Sequence, residues 1–543
     1  MNSHWRRTLS LVLVLAVLAI ALPGSTGIAS AGAGDEVRVQ ILAINDFHGA
    51  LESRKVSGRD AGGAAVLAGY LNQREMEAQE VGSRTIRVGD GDLVGASPPI
   101  SALLQDEPTI QTLGMMGFKY STVGNHEFDE GVEELLRLQN GGCHEATGCF
   151  AGASFQYLAA NLVYADSGQP VMPAYAIERV RGIPIGFIGV VLKDTPTIVS
   201  PSGVAGLEFL DEATTVNRYV AELKGQGVEA IVVLIHQGGS GDAKGGPISG
   251  DIVPVVEAMD DEVDVVISGH SHAVYWGNIG GKLVTQANNA GLAFADVDLV
   301  LDPATGDVVE KRAEIVDTFH ATAEGAPLVE PDPIVADYIE RTAAVMAPRV
   351  NQVIATASSD LTRTQNAAGE SVLGDLIADA QAWKMDTQIA LMNPGGIRAE
   401  LAVGEVTWGE LFTIQPFFNY LVKMRLTGAQ IDQALEQQWV NQTTPRMLQV
   451  SGISYSWDPE APVGERVNPA SIRVGDQPLD LNGSYTVTVN SFLADGGDNF
   501  TVLRSGADKV VGPMDLDGLI DYVRQLPQPF TYSSKGRISQ VAR

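Results

Sequence analysis

Cysteine is almost missing from this chain of 543 residues: it has two, Cys143 and Cys149. That excludes a disulfide-stapled miniature scaffold and a four-thiolate metal site. Cations are also scarce, with 36 Lys and Arg against 66 Asp and Glu and a formal charge of −30. Such a field repels nucleic acid polymers and anionic membrane surfaces, so an anionic substrate would have to be drawn in by local cations. Long apolar runs are lacking apart from one, Leu9 to Leu22, which follows Arg6 and Arg7 and ends in Pro-Gly and small residues. A membrane span needs about 20 residues, so this shorter run reads as a secretory leader over residues 1–31. Ala29-Ser30-Ala31 fits cleavage there, and the mature chain would start near Gly32 or Ala33. The mature protein is expected to be secreted or extracytoplasmic, with no membrane segment. In that setting Cys143 and Cys149, in the Gly-rich stretch GGCHEATGC, are expected to form a disulfide closing a small surface loop, with His144 a plain loop residue.

The length exceeds what one hydrophobic core organises, which predicts two domains. The first half alternates β-branched runs with helical stretches, the pattern of βαβ units. VRVQILAI, TIRVG, YSTVG, IPIGFIGVV, AIVVLIH and VDVVISG are its strands, with helices at Ala64 to Glu80 and Val132 to Leu138. Residues 293–317 read as edge strands with a turn at Pro303 to Gly306, and the domain is placed at 35–325. Residues 326–350 begin Pro-rich and turn helical, with Ile334, Tyr338, Ile339 and Ala343 on one stripe, which predicts a helix connecting the two domains. The remainder, 351–543, mixes helices such as Gly374 to Trp383 with strands such as SYTVTVN and is expected to be a second, α+β domain.

Histidine is rare, eight in all, yet five of the eight lie in polar motifs just after predicted strands. NDFHG carries Asp46 and His48, GNHEFD carries Asn125 and His126, LIHQGG carries His236, and SGHSH carries His270 and His272. The turn VGDGDLVGAS adds Asp90 and Asp92. Ligands gather outside the carboxyl ends of strands in open α/β sheets, so these side chains can converge. A site for two divalent ions about 3.5–4 Å apart wants a bridging carboxylate, neutral imidazoles and an amide oxygen. Asp46, His48, His272 and a bridging Asp would hold one ion; the same Asp, Asn125, His236 and His270 would hold the other. A single histidine after a strand is more often a turn residue, but the set of five is poorly explained that way.

The order D-x-H, GD, GNHEFD, H, GHSH resembles the calcineurin-like metallophosphoesterases. With the C-terminal half, the chain resembles the secreted 5′-nucleotidase family over nearly all of its mature length. The resemblance implies an α/β fold: an N-terminal metallophosphoesterase β-sandwich flanked by helices, a connecting helix and a C-terminal substrate-binding domain. It implies metal ligands at Asp46, His48, Asn125, His236, His270 and His272, and a bridging Asp92, with Asp90 the alternative. The cofactors implied are two divalent cations, manganese, zinc or similar. His126 and Asp129 would form a catalytic pair, with Glu127 a supporting residue.

In the second half MNPGGIRAEL has a Gly pair that lets backbone approach closely, followed by Arg398, while IQPFFNY and NSFLADGGDNF put aromatics beside polar residues in turn-rich sequence. By the same resemblance Phe417 and Phe492 would sandwich a base, Asn393 and Asn419 would contact base or ribose, Asp498 the ribose hydroxyls, and Arg398 and Arg363 the phosphate. Pro394 and Phe418 stand where the family commonly has Gly, which is expected to reshape the pocket. The function implied is removal of the 5′-phosphate from nucleoside monophosphates, with UDP-sugars, nucleoside di- and triphosphates or 2′,3′-cyclic nucleotides as further substrates. The alternatives are a non-catalytic nucleotide-binding surface protein and a sulfur-oxyanion hydrolase on the same scaffold.

Overall fold

The computed structural model describes residues 36–541, so the leader expected at 1–31 lies outside the described residues. Twelve strands of the N-terminal half form two six-stranded sheets. In chain order they are β1 (Val37–Ile44), β2 (Arg84–Asp90), β3 (Tyr120–Thr122), β4 (Gln156–Leu158), β5 (Tyr175–Val180), β6 (Ile183–Val191), β7 (Ala230–His236), β8 (Val263–Ser268), β9 (Val274–Ile279), β10 (Lys282–Ala287), β11 (Ala293–Leu301) and β12 (Val308–Asp317). The sheet orders are β12-β11-β1-β2-β3-β4 and β5-β6-β7-β8-β10-β9. Strands β1 to β4 run parallel to one another, as do β6, β7, β8 and β10.

Side-chain alternation along β1 shows why the sheets stack. Val39, Ile41 and Ala43 face Ile185, Phe187, Val232 and Leu234 of the other sheet, whereas Leu42 and Ile44 face a helical layer with Leu67, Leu71 and Leu113. The central strands thus bury both faces, which is why β7 reads as an unbroken apolar run. The 293–317 piece differs from expectation in one respect. Only β12 is an edge; β11 pairs with β1 on one side and β12 on the other, and its burial is nearly complete.

The helix Pro333–Val350 joins the halves. Asp332 caps it by accepting from the amides of Ile334 and Val335, while Pro333 sits in the first turn, where no amide is needed. Its inward stripe is Val335, Ile339, Thr342 and Ala343; Ile334, expected on that stripe, is 69% exposed. Val335 takes its place on that stripe, while Ile339 and Ala343 stand as expected. At the other end Arg349 lies 4.4 Å over the ring of Trp408, and the Trp408 amide donates to Gln352 O.

The C-terminal half is built on a five-stranded sheet in the order 449–451, 389–392, 484–490, 420–427, 507–514. Helix Gly428–Glu436 covers one face, and helices Val372–Met385, Trp408–Ile414 and Asp515–Gln525 cover the other. Cys143 and Cys149 face each other across a two-stranded hairpin and are disulfide-bonded. His144 turns back to accept from the Ala146 amide.

Candidate active site and metal centre

Every parallel strand that carried a polar motif ends on the same side of the sandwich. Asp46 and His48 follow β1, Asp92 follows β2, Asn125 and His126 follow β3, His236 closes β7, and His270 and His272 follow β8. The tight convergence needs unusual backbone: Asp46, His48, Asp92, His270 and His272 all have positive φ, between 48° and 69°. Non-glycine residues rarely adopt such angles, and they persist where packing enforces them. At Gly124 a Cβ would collide with Asp92 Oδ1, and at Gly91 one would lie 2.5 Å from the Gly124 amide nitrogen. These two glycines let the β2 and β3 loops touch.

Three overlapping groups of donor atoms result: Asp46, His48 and His272; Asp92, His236 and His270; and His48, Asp92 and His126. His48 Nδ1 lies 2.9 Å from Gly95 O, and His236 Nδ1 lies 2.8 Å from Asp90 O. Each of these imidazoles therefore donates to a carbonyl and turns a lone pair on Nε2 inward. His48 Nε2 stands 3.2 Å from His272 Nε2, and His236 Nε2 stands 3.0 Å from Asp92 Oδ2. His270 Nδ1 is 3.0 Å from Asn125 Oδ1, and Asp46 accepts the His270 amide with both oxygens.

The electrostatics describe a pocket short of positive charge. Burial opposes protonation of His236, yet Asp92, Asp46 and Asp90 push it up to about 10. Burial holds His48 well below the usual imidazole range and, with His236, holds His270 down at about 3. His236 Nε2 is fully buried, with the Asp92 carboxylate its nearest polar neighbour. Buried imidazole nitrogens and carboxylate oxygens converging in this way are what divalent cations satisfy, and the donor types suit such ions. The residues fit two of them, with Asp92 in the position shared by two donor groups.

Asp90 lies apart from this arrangement. Its carbonyl holds His236, its carboxyl oxygens have no hydrogen-bond partner, and burial raises its pKa well above the ordinary value. Asp92, not Asp90, stands among the imidazoles. Glu127, expected only to support its neighbours, does so in a specific way: it accepts from the amides of Asp92, Leu93 and Gly124 at 2.8, 2.8 and 2.5 Å. One buried carboxylate therefore ties the β2 loop to the β3 loop.

His126 Nδ1 lies 2.8 Å from Asp129 Oδ2. Burial works against the imidazolium, but Asp129 and Asp92 outweigh it and raise the His126 pKa. The ring stacks on Phe417 of the C-terminal half, with centroids 5.7 Å apart and planes 19° from parallel. Arg398 lies over the same phenyl ring at 5.7 Å. A cavity of about 740 Å³ opens here, lined by Asp92, His126 and His270 from one half and Asn393, Arg398, Phe417, Asn419, Phe492 and Asp498 from the other.

Not every expected pocket residue faces that cavity in the expected way. Arg363 stands outside the lining; its Nη1 donates to Ile397 O and braces the backbone just before Arg398. Asn419 Oδ1 accepts from Ser491 Oγ and the Phe492 amide, so it holds the Phe492 turn. Asn393 donates to Asp498 Oδ2 and accepts from Asn490. The Phe418 ring packs edge-on against Phe412, away from the main cavity, and does not narrow it.

Sequence reasoning misses Asn289, Arg446 and the Asp194–Ser200 turn. Asn289 lies 2.9 Å from His272 Nδ1 and follows a strand in QANNAG, so the rule that finds the histidines would find it too. Arg446 and the 194–200 turn line the cavity from polar loops without chemical signature.

A two-sheet sandwich with a bimetallic donor set at its strand ends, facing a recognition domain across one cavity, defines the class of two-domain metallophosphoesterases. Residues 39–274 match the calcineurin-like phosphoesterase family, and residues 353–505 match the 5′-nucleotidase C-terminal domain. The chain belongs to the 5′-nucleotidase family. It is 36% identical to Endonuclease YhcR of Bacillus subtilis over 93% of this chain, although it spans only 41% of that protein. It is 35% identical to Cell wall protein Lmo0130 of Listeria monocytogenes, covering 96% of this chain and 71% of that one. Among solved structures, the 5′-nucleotidase precursor of Thermus thermophilus superposes with a TM-score of 0.77 at 28% identity, covering 93% of this chain and all of that one.

Proposed function

We propose that the protein is an exported, metal-dependent phosphohydrolase that removes the 5′-phosphate from nucleoside monophosphates. The observation that carries this is the single cavity that joins the donor set to Phe417, Phe492 and Asp498. Two divalent cations, held by Asp46, His48 and His272, by Asn125, His236 and His270, and by Asp92 between them, would neutralise the phosphoryl oxygens and acidify the attacking water.

The chain's own groups account for the rest. Arg398, half-buried beside Phe417, pairs with the phosphate and adds charge where it develops. His126, with Nδ1 committed to Asp129, keeps its proton at Nε2 for the departing 5′-oxygen, and its raised pKa favours that protonated form. Asp129 fixes the ring's orientation. Phe417 and Phe492 stack on the base, a contact worth about 1–3 kcal/mol per base. Asp498, held by Asn393, accepts the ribose hydroxyls. Closure of the halves over the bound nucleotide excludes bulk water.

Relatives named endonuclease and apyrase widen the range of phosphoesters to be tried. The charge of −30 favours small nucleotides over polymers. The disulfide and the likeness to a cell wall protein support export. No helix among the described residues is long and apolar enough to cross a membrane.

The test is phosphate release from AMP, UDP-glucose, ATP and 2′,3′-cyclic AMP by metal-stripped protein reloaded with manganese, zinc or calcium, with His126→Ala as control. Metal-dependent release from AMP that collapses in the control is expected. No release with any metal, from folded protein that still binds nucleotide, would leave a nucleotide-binding surface protein.

A further inference from the structure

The cavity holds a second guanidinium that the reaction above does not use. Among its lining residues the guanidinium groups are those of Arg398 and Arg446. Arg398 lies on the side of the metal donors, where its charge acts on His48 and His126. Arg446 lies beside Asp498, with Nη1 3.8 Å from Asp498 Oδ1. Its side chain is 32% exposed, and that loose ion pair is its one polar side-chain contact among the described residues. Asp498 has a separate anchor, because Asn393 donates to its other oxygen at 2.9 Å. It is also held with φ at 52°, one of the strained angles of this half.

A guanidinium presents five donors in a planar fork suited to phosphate, and one left with a distant carboxylate keeps most of that capacity. In a chain so rich in acid, two separated guanidiniums in one cavity fit a ligand that is anionic at two places. The wall next to Arg446 continues through Thr443 and Thr444, whose hydroxyls suit the same kind of group.

We propose that Arg446 forms an anion subsite beside the ribose position, which takes a second phosphate on the 2′- or 3′-oxygen and makes nucleoside 3′,5′- and 2′,5′-bisphosphates preferred substrates. This rests on the nucleotidase reading of the cavity. The ribose hydroxyl left free still donates to Asp498, and Arg446, adjacent to that carboxylate, offsets its repulsion of the second phosphate. The reaction is unchanged: water adds to the 5′-phosphorus, the bond from phosphorus to the 5′-oxygen breaks, that oxygen takes a proton, and the other phosphate stays on the product. A simpler role for Arg446, as counter-ion keeping the buried Asp498 charged, makes a different prediction.

The experiment compares kcat/KM for adenosine 3′,5′-bisphosphate and AMP on the full mature chain loaded with manganese, in wild type, Arg446→Gln and Arg446→Lys. The wild type is expected to favour the bisphosphate by about tenfold, the scale of one charge-assisted phosphate contact. That ratio should fall to about one in Arg446→Gln and be partly kept in Arg446→Lys. A wild-type ratio near one overturns the proposal, as does a ratio that survives in Arg446→Gln. Equal loss on both substrates, with the ratio kept, marks Arg446 as a counter-ion to Asp498. If the wild type releases no phosphate from AMP with any metal, the nucleotidase reading fails separately. Titration calorimetry of the two nucleotides on the same proteins then decides the subsite, with tenfold tighter bisphosphate binding, lost in Arg446→Gln, expected and equal binding refuting it.

Discussion

Glu127→Gln tests whether one buried carboxylate holds the donor set in place. Glu127 is 4% exposed. Its Oε2 accepts from the amides of Asp92 and Gly124, and its Oε1 accepts from the Leu93 amide and, at 3.3 Å, the Tyr157 hydroxyl. Three amides aim at two oxygens, and glutamine offers one oxygen and one NH2 group. With its oxygen at the Oε2 position it keeps Asp92 and Gly124 but turns a donor on Leu93 N–H; the opposite orientation strands two amides. A buried donor left without a partner costs about 1–3 kcal/mol. Some of that is offset, because burial and the neighbouring Asp92 push the Glu127 pKa up to about 7, so the wild type holds a poorly solvated charge at neutral pH. The expected net loss of stability is about 1–2 kcal/mol, read from urea unfolding followed by circular dichroism. The functional loss should be larger, because a displacement of about 1 Å at a reacting centre can cost on the order of 100-fold in rate. Phosphate release at saturating AMP should therefore fall by roughly that factor. A Glu127→Gln protein with wild-type turnover and stability would refute the claim that this carboxylate sets the β2 and β3 loops.

Two other perturbations address regions remote from the metals. Burial and the adjacent Glu370 carboxylate raise Asp375 from 3.8 to about 7, so the folded chain holds this proton more tightly than the unfolded one. That contribution is greatest in acid, declines as pH rises from about 4 to about 7, and is flat above. Thermal melts from pH 5 to 8 should fall with pH in the wild type and fall less in Asp375→Asn; parallel profiles would count against the assignment. Replacing both Cys143 and Cys149 by Ser opens a loop with a sequence separation of 6, for which chain entropy predicts a loss of about 2 kcal/mol. Loss of cooperative folding in that double variant would show that the hairpin does more than close itself.

Much of the centre was legible because each donor follows a strand with a strong apolar pattern, and parallel strands ending on one side leave little choice of where the donors meet. His236, the last residue of β7, is the plainest case. The family resemblance favoured Asp92 over Asp90, but GDGD alone offers two carboxylates two residues apart and does not say which turn flips the chain. Backbone did: Asp92 takes a φ of 48° and swings among the imidazoles, while Asp90 is the last residue of its strand. Ile334 read as part of the helix stripe because it stands four residues before Tyr338, yet Val335, four before Ile339, is the residue that is buried. Arg363 and Asn419 also carry ties that their residue types do not announce: Arg363 braces Ile397 just before Arg398, and Asn419, which lines the cavity, holds the Phe492 turn as well. Composition alone does not reveal such bracing contacts.

The stacking of His126 on Phe417 has a consequence for how such a protein can change. The ring proposed to grip the base is also a wall of the pocket in which the proton-carrying imidazole sits. A substitution at 417 that retuned base preference would alter the packing and polarity around His126 in the same step. Taste for the base and speed of the chemistry are therefore not independent dials at this position. Descendants of such a chain could reach a new preference more freely through Phe492, for which no ring contact with His126 is seen among the described residues.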